Sequence, residues 1–373
     1  MRAAPGHRED GRDPGRGRIA DEQDHGAHDE VAGEAMSRLL AAPDKFRGSA
    51  SAPEVAGAMA AAAAAAGWAC VQLPLADGGE GTLDAFGGGN RRTSVTGPHG
   101  RPVEAAWRMG DDGVAVVEMA LASGLVLAGG AEGNDPVPAT TRGTGELIAA
   151  ALDEGARRVV VSLGGSATTD GGLGAVEVLA PYAPFDGRDG RAEVLVACDV
   201  RTPFVDAAVV FGPQKGATAA EVTQLTDRLR HLVDVYRERF GVDVSAIEGA
   251  GAAGGLGGGL AALGARLTAG FPLIAEHTGL EAAVAAADAV VTGEGRLDPE
   301  SFNGKVVGGV VEIAARHGVP VLVVAGAVDA EVAGRVPSVA LRDEFGKEAS
   351  WRDPLGCVTR ATTEWIRREW TAQ

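Results

Sequence analysis

Short aliphatic runs recur along the chain, each closed by a glycine- or aspartate-bearing loop and separated by stretches long enough for a helix. This alternation restricts the fold to an α/β architecture with a mostly parallel sheet. The runs are residues 39–42, 71–75, 159–163, 194–197, 289–292 and 319–325. Two helix starts are written out in full. Ser51 with Glu54, and Thr218 with Glu221, each fit a capping box, in which hydroxyl and carboxylate satisfy orphan backbone donors. After the second, Val222, Leu225, Leu229, Leu232, Val233 and Tyr236 repeat at three- and four-residue spacing, the stripe of a helix lying on a core. One block breaks the pattern. Residues 93–96, 103–109 and 114–119 are strand-like and are divided by Gly97-Pro98-His99-Gly100 and Gly110-Asp111-Asp112-Gly113 turns, as in an antiparallel meander. A block of different topology inside an α/β chain implies an inserted domain, residues 89–277, with residues 37–88 and 278–373 folding together around it.

Composition removes several classes of function. The 56 glycines among 373 residues show no G-X-Y period, so they serve turns and close backbone approaches rather than a triple helix. A net charge of −17 opposes nucleic acid and anionic membranes, and no run is long and apolar enough to span a bilayer. Cys70, Cys198 and Cys357 are odd in number and far apart, which reads as reduced thiols in a cytoplasmic protein rather than a disulfide framework or a zinc site. Residues 1–36 lack an h-region and are expected to form a disordered tail, with Met36 a second candidate start.

Familiar catalytic signatures are missing: there is no H-E-x-x-H, no G-x-S-x-G and no Walker A loop around Lys305. Gly249-Ala250-Gly251-Ala252-Ala253-Gly254 matches G-x-G-x-x-G, but no convincing strand precedes it and no acidic residue closes a strand at the required distance. What remains is a set of five acidic, glycine-flanked loops. They run from Ala42 to Ser49 with Asp44, Lys45 and Arg47; from Ala76 to Thr82 with Asp77 and Glu80; from Gly164 to Gly172 with Ser166, Thr168, Thr169 and Asp170; from Ala197 to Asp199; and from Thr292 to Asp298 with Glu294 and Arg296. Phosphoryl transfer needs this equipment. Mg²⁺ takes one or two carboxylates, phosphates take backbone N–H groups and cations, and an alcohol nucleophile needs a base. A helix starting near Gly171 would present its N-terminus to an anion, and Lys215, just before the Thr218 cap, would hold a phosphate or a carboxylate.

Residues 42–48, 76–82, 164–172, 196–200, 211–218, 249–257 and 292–298, in this order, resemble the bacterial glycerate kinase family, type I, the glycerate 2-kinase group. The resemblance implies a two-domain α/β fold: a discontinuous Rossmann-like parallel-sheet domain with an inserted mixed α/β domain, and the active site in the cleft. It implies ATP-dependent, Mg²⁺-assisted phosphorylation of D-glycerate to 2-phosphoglycerate; a homodimer is left open. Carried over position by position, it makes Asp199, Asp170, Arg47 and Lys215 catalytic, with Asp199 or Asp170 the base. Asp44, Ser166, Thr168 and Arg296 would contact substrate. Gly164, Gly165, Gly171, Gly172, Asp298 and Lys305 would serve the nucleotide, and Asp77, Glu80 and Glu294 the metal. This chain departs from the family pattern in Arg47, Thr169 and Glu300-Ser301, where Lys, Asn and Gln-Thr are common. It is also shorter between residues 174 and 193, from which the loss of an element near the cleft is expected. Three rivals stand beside this reading: a kinase for a related hydroxy acid, a non-catalytic metabolite-binding protein, and an NAD-dependent oxidoreductase.

Overall fold

The computed structural model describes residues 36–370, so the tail expected over residues 1–36 lies, but for Met36, outside the described residues. Among the described residues, eleven strands form two sheets: β1 (Arg38–Ala41), β2 (Ala69–Gln72), β3 (Arg91–Thr96), β4 (Pro102–Met109), β5 (Val114–Glu118), β6 (Arg158–Ser162), β7 (Glu193–Ala197), β8 (Arg266–Thr268), β9 (Ala289–Leu297), β10 (Val321–Val328) and β11 (Ser338–Ala340). One sheet has the order β11-β10-β9-β1-β2, and every pair in it is parallel. The other runs β3-β4-β5-β6-β7-β8. Its first two pairings are antiparallel and its last three parallel, so the meander exists and continues into a parallel half. Strands 91 to 268 supply the whole second sheet, and the strands on either side of them supply the first.

Strand alternation distributes the core. Leu39 and Ala41 pack toward Val55, Met59, Cys357 and Trp365 from the Ala52–Ala65 and Pro354–Trp370 helices. Leu40 and Ala42 face the other way, into a cluster with Val290, Val306 and Val310. That same cluster takes in Val116 of β5 and Val160 of β6, together with Phe271 and Ile274 of the Gly270–Thr278 helix. One apolar core is thus shared by the two sheets. Alternate residues Ala115, Val117, Val159 and Val161 face a third cluster, which the striped Ala219–Phe240 helix seals with Leu225, Leu229, Leu232 and Tyr236. Both capping boxes form as expected.

β2 ends at Gln72, short of the expected Leu75, and β8 and β11 lie outside the expected runs; two further differences bear on the site. β9 does not end at Thr292. It runs to Leu297, because β10 continues to pair with it through Ala325–Glu294 and Ala327–Arg296, so the Glu294 and Arg296 segment is strand rather than loop. The G-x-G-x-x-G segment leads into the Ala252–Ala262 helix through left-handed residues Ala253, Gly254 and Gly255. It is packed against the 168–172 loop: a Cβ at Gly254 would run into the Thr168 carbonyl, and one at Gly255 would lie 2.7 Å from the Gly171 Cα. These glycines permit a backbone-to-backbone contact. The cysteines are free, and no helix among the described residues is long and apolar enough to cross a membrane. Gly254→Ala is therefore expected to lower stability by about 2 kcal/mol or more, from left-handed strain plus the clash. Urea unfolding measures it, and a loss below about 0.5 kcal/mol would show that the contact is not sterically committed.

Candidate active site

The carboxyl ends of strands from both sheets face a cleft of about 630 Å³. The loop after β1 contributes Lys45 and Arg47, and the loop after β2 contributes Asp77, Gly78, Gly79 and Glu80. From the other sheet come Gly164, Gly165 and Ser166 after β6, and Cys198 and Asp199 after β7. Lys215, Gln214, Glu300 and Lys305 complete the polar lining.

The two sheets touch at the cleft floor through glycine. A Cβ on Gly164 would lie 2.8 Å from Gly79 Cα and 2.9 Å from the Glu80 nitrogen, and one on Gly78 would lie 2.8 Å from Gly270 Cα. The Leu163 N–H donates to the Gly78 carbonyl at 3.4 Å. Above this floor, the N–H groups of Gly164, Gly165 and Ser166 are spent on no protein acceptor among the described residues, whereas the flanking Leu163 and Ala167 N–H groups are. Three adjacent free donors in a cleft make an anion cradle.

Charges are arranged around it. Asp199 Oδ1 accepts from the Gly270 N–H at 2.9 Å, and its carboxyl is pushed above the ordinary carboxylate range by burial, with the negative charge of Asp77 adding to it. Asp77 accepts from the Gly79 N–H at 3.3 Å and lies 3.9 Å from Lys45 Nζ. Lys45 Nζ is also 3.4 Å from Asp44, whose pKa burial raises. Lys215, only 3% exposed, donates from Nζ to the Thr168 carbonyl at 2.6 Å. Burial brings its pKa down to about 7, against the pull of Asp170. Asn134 fixes that corner by donating to the Lys215 and Ala167 carbonyls at 2.8 and 3.0 Å.

Not every expected residue comes to the cleft. Asp170, 7% exposed, is encircled by donors from its own loop and from Thr141: Oδ2 accepts from the Thr141 N–H and hydroxyl at 2.8 Å each and from Gly174 N–H at 3.3 Å, and Oδ1 from Gly172 N–H at 3.1 Å. The donors ahead of the Leu173–Leu179 helix, expected to meet an external anion, are thus taken by Asp170 itself. Gly171 and Gly172 are packed under Leu232 and Leu256, and the Gly171 carbonyl accepts from the buried Tyr236 hydroxyl at 2.9 Å. Thr168 and Thr169 are buried with unpartnered hydroxyls behind the cradle. Arg296 points away from the cleft lining and is clasped by Asp329 through two bonds of 2.9 Å. Asp298 caps the short Pro299–Phe302 turn through Ser301. Glu294 is not in the cleft lining; its Oε1 has no hydrogen-bond partner, and burial lifts its pKa to about 7, with the charge of Asp44 adding to it.

Sequence reading passed over Glu118. At the end of β5 and 5% exposed, it accepts from Gly81 and Leu83 N–H groups at 3.2 Å each, so one sheet holds the acidic loop of the other. A glutamate closing an apolar strand was the signal available. Lys45 and Gln214 stood inside the quoted segments without a role. The later part of the shortened 174–193 segment lies at the far end of the strands. Phe185 N–H donates to Leu263, and Asp186 bridges Glu193 at the amino end of β7, the end opposite Ala197 and Asp199.

The family model described as the glycerate kinase family matches residues 39–183 and 182–343, nearly the whole of the two sheets. The chain belongs to the glycerate kinase family. Membership makes it a kinase, which implies ATP as phosphoryl donor and a small-molecule acceptor. The chain is similar to the glycerate 2-kinase of Escherichia coli K12, at 39% identity over 79% of this chain and 86% of that protein. It is likewise similar to a Bacillus subtilis 168 glycerate kinase, at 40% identity over 78% and 85%. A crystal structure of a Salmonella typhimurium LT2 protein provisionally named glycerate kinase 2 superimposes with a TM-score of 0.75 at 33% identity, over 91% of this chain and 99% of that one. The family-model match divides at residues 182–183, within the shortened segment.

Asp170→Ala strands several buried donors and is expected to cost about 3 kcal/mol or more of stability. Denaturant unfolding reads this directly; a loss under about 1 kcal/mol would mean that Asp170 does not organise the loop.

Proposed function

We propose that this kinase transfers the γ-phosphoryl group of ATP to D-glycerate, at the 2-hydroxyl, giving 2-phosphoglycerate and ADP. The observation that carries the reading is the convergence, in one cleft of a glycerate kinase family member, of a free N–H cradle, a buried lysine and two carboxylates from different sheets. The relatives named as glycerate kinases supply the acceptor. The domain division at residues 89–277 and a cytoplasmic location are part of the same proposal.

In this reading the acceptor lies between Lys215 and Asp199. The ammonium of Lys215 takes the glycerate carboxylate, which returns to that buried group the charge partner it lacks. The hydroxyl oxygen attacks the γ-phosphorus as the bond to the β-phosphate oxygen breaks, and the hydroxyl proton passes to Asp199. A carboxyl held above its ordinary pKa is the better acceptor for it. The N–H groups of Gly164, Gly165 and Ser166, with Lys45, Arg47 and Lys305, receive the charge that spreads over the transferring group. Mg²⁺ fits the donor set. Asp77 and Asp199 face the same space, each with one carboxylate oxygen free of protein donors, and their mutual repulsion is what a dication relieves. Among the described residues there is no cluster of three or more ligands, so the metal would be held by Asp77 and the nucleotide phosphates, leaving the free oxygen of Asp199 for the proton. When bound it would neutralise phosphate charge.

³¹P NMR of the purified protein with D-glycerate and MgATP is expected to show a 2-phospho ester that EDTA abolishes; a 3-phospho ester overturns the regiochemistry, and no ester overturns the acceptor. Asp199→Asn should lower kcat at least about 10²-fold, and full kcat with unchanged KM would remove Asp199 from the base role. The pH profile follows from the two shifted groups. Asp199 must be ionised, so kcat/KM falls on the acid side, with a limb above the ordinary carboxylate value. Lys215 must be protonated, so kcat/KM falls again as pH rises through about 7. Lys215→Arg cannot lose its proton and should shift that basic limb upward; an unmoved limb would assign it to another group.

A further inference from the structure

We propose that a second cavity, bounded by the loop after β1 and the Lys347–Arg352 helix, receives the base and ribose of the nucleoside triphosphate donor. The inference rests on the kinase reading above and assigns its donor subsite.

Position is the first argument. In the five-stranded sheet the chain leaves β1 toward β2 on one side, while β9, β10 and β11 build outward on the other. The order therefore reverses between β1 and β9, and in open parallel sheets ligands sit in the crevice outside the carboxyl ends at that reversal. The second cavity, about 540 Å³, opens there, with Phe46 after β1, Gly295 of β9 and Gly326 of β10 in its wall. Its size suits a nucleoside.

Its chemistry is the second. The inner wall is the buried ring of Phe46 and the backbone of Gly295 and Gly326, where a Cβ on Gly326 would lie 2.5 Å from the Gly295 carbonyl. The outer wall is Trp351, a large aromatic left 67% exposed, whose ring tip reaches to 3.9 Å of where a Cβ on Gly48 would stand. An aromatic face kept at the mouth of an apolar slot offers a stacking surface to a flat heterocycle.

Charge is the third. Arg47, Arg342, Lys347 and Arg352 line the cavity against a single carboxylate, Glu348, in a chain of net charge −17. Arg352 pairs with Glu348 at 3.0 Å and Arg342 with Asp343 at 3.4 Å, but Arg47 and Lys347 make no ion pair among the described residues. Arg47 also lines the catalytic cleft. One unspent guanidinium shared by the two spaces marks the path of a polyphosphate, from a base at Trp351 to a γ-phosphate at Gly164 and Gly165.

The test is equilibrium binding of ADP and of inorganic tripolyphosphate to the full chain, as wild type, Trp351→Ala and Trp351→Phe. Trp351→Ala should weaken ADP about ten-fold and leave tripolyphosphate unchanged, with Trp351→Phe recovering most of the loss. KM for ATP should rise by a similar factor while KM for glycerate stays level. The proposal is overturned if ADP does not bind the wild type, if its affinity ignores Trp351, or if both ligands weaken equally. The two readings fail separately. Turnover of glycerate with Trp351-indifferent ADP binding removes this subsite alone, whereas Trp351-dependent ADP binding without turnover removes the acceptor and leaves the subsite.

Discussion

The contact between the two sheets at Gly78, Gly79, Gly164 and Gly270 sets the rest of the site. A Cβ on Gly78, Gly164 or Gly270 would meet another backbone at a distance that leaves no room for it, and Gly79 is the backbone that Gly164 meets. Main chain from the first sheet therefore lies directly on main chain from the second, and the acidic loop after β2 shares a floor with the free N–H groups after β6. Glu118 ties the same loop from the side, and the core around Leu40, Val116, Val160 and Phe271 fixes the sheets behind it. A side chain inserted anywhere in this floor would separate the carboxylates from the cradle.

Electrostatics follow from that geometry rather than from the overall charge. A chain of −17 places an uncommitted arginine, a buried lysine and three open amide donors in one place, so an anionic ligand meets a local field opposite to the net one. The cost is visible in the free protein. Lys215 is buried with only a carbonyl as its partner, and Asp199 and Asp77 repel one another. Such groups destabilise the empty site and favour its filling.

Much of this could be read from residues. Alternating aliphatic runs gave strands β1, β6 and β7 almost to the residue, and both capping boxes formed, because these signals are local. β8 and β11 are three-residue strands made by their neighbours, and the extension of β9 is imposed by β10; neither leaves a periodic trace. Of the expected site residues, Asp77, Asp199, Lys215 and Ser166 reach the cleft, while Asp170 and Arg296 are engaged by their own surroundings. Residue type and spacing do not distinguish those two fates. The partner that each meets, the Thr141 donors for Asp170 and the Asp329 carboxylate for Arg296, lies far away in sequence.

The shortening before β7 shows how a parallel sheet divides labour along its axis. Residues 182–193 sit at the amino end of the strands, and everything that touches the cleft leaves from the carboxyl end, five residues of β7 away. Length at the first end is set apart from the chemistry at the second by the whole strand, so a lineage can trim or elaborate its outer face while its chemistry stays under separate constraint.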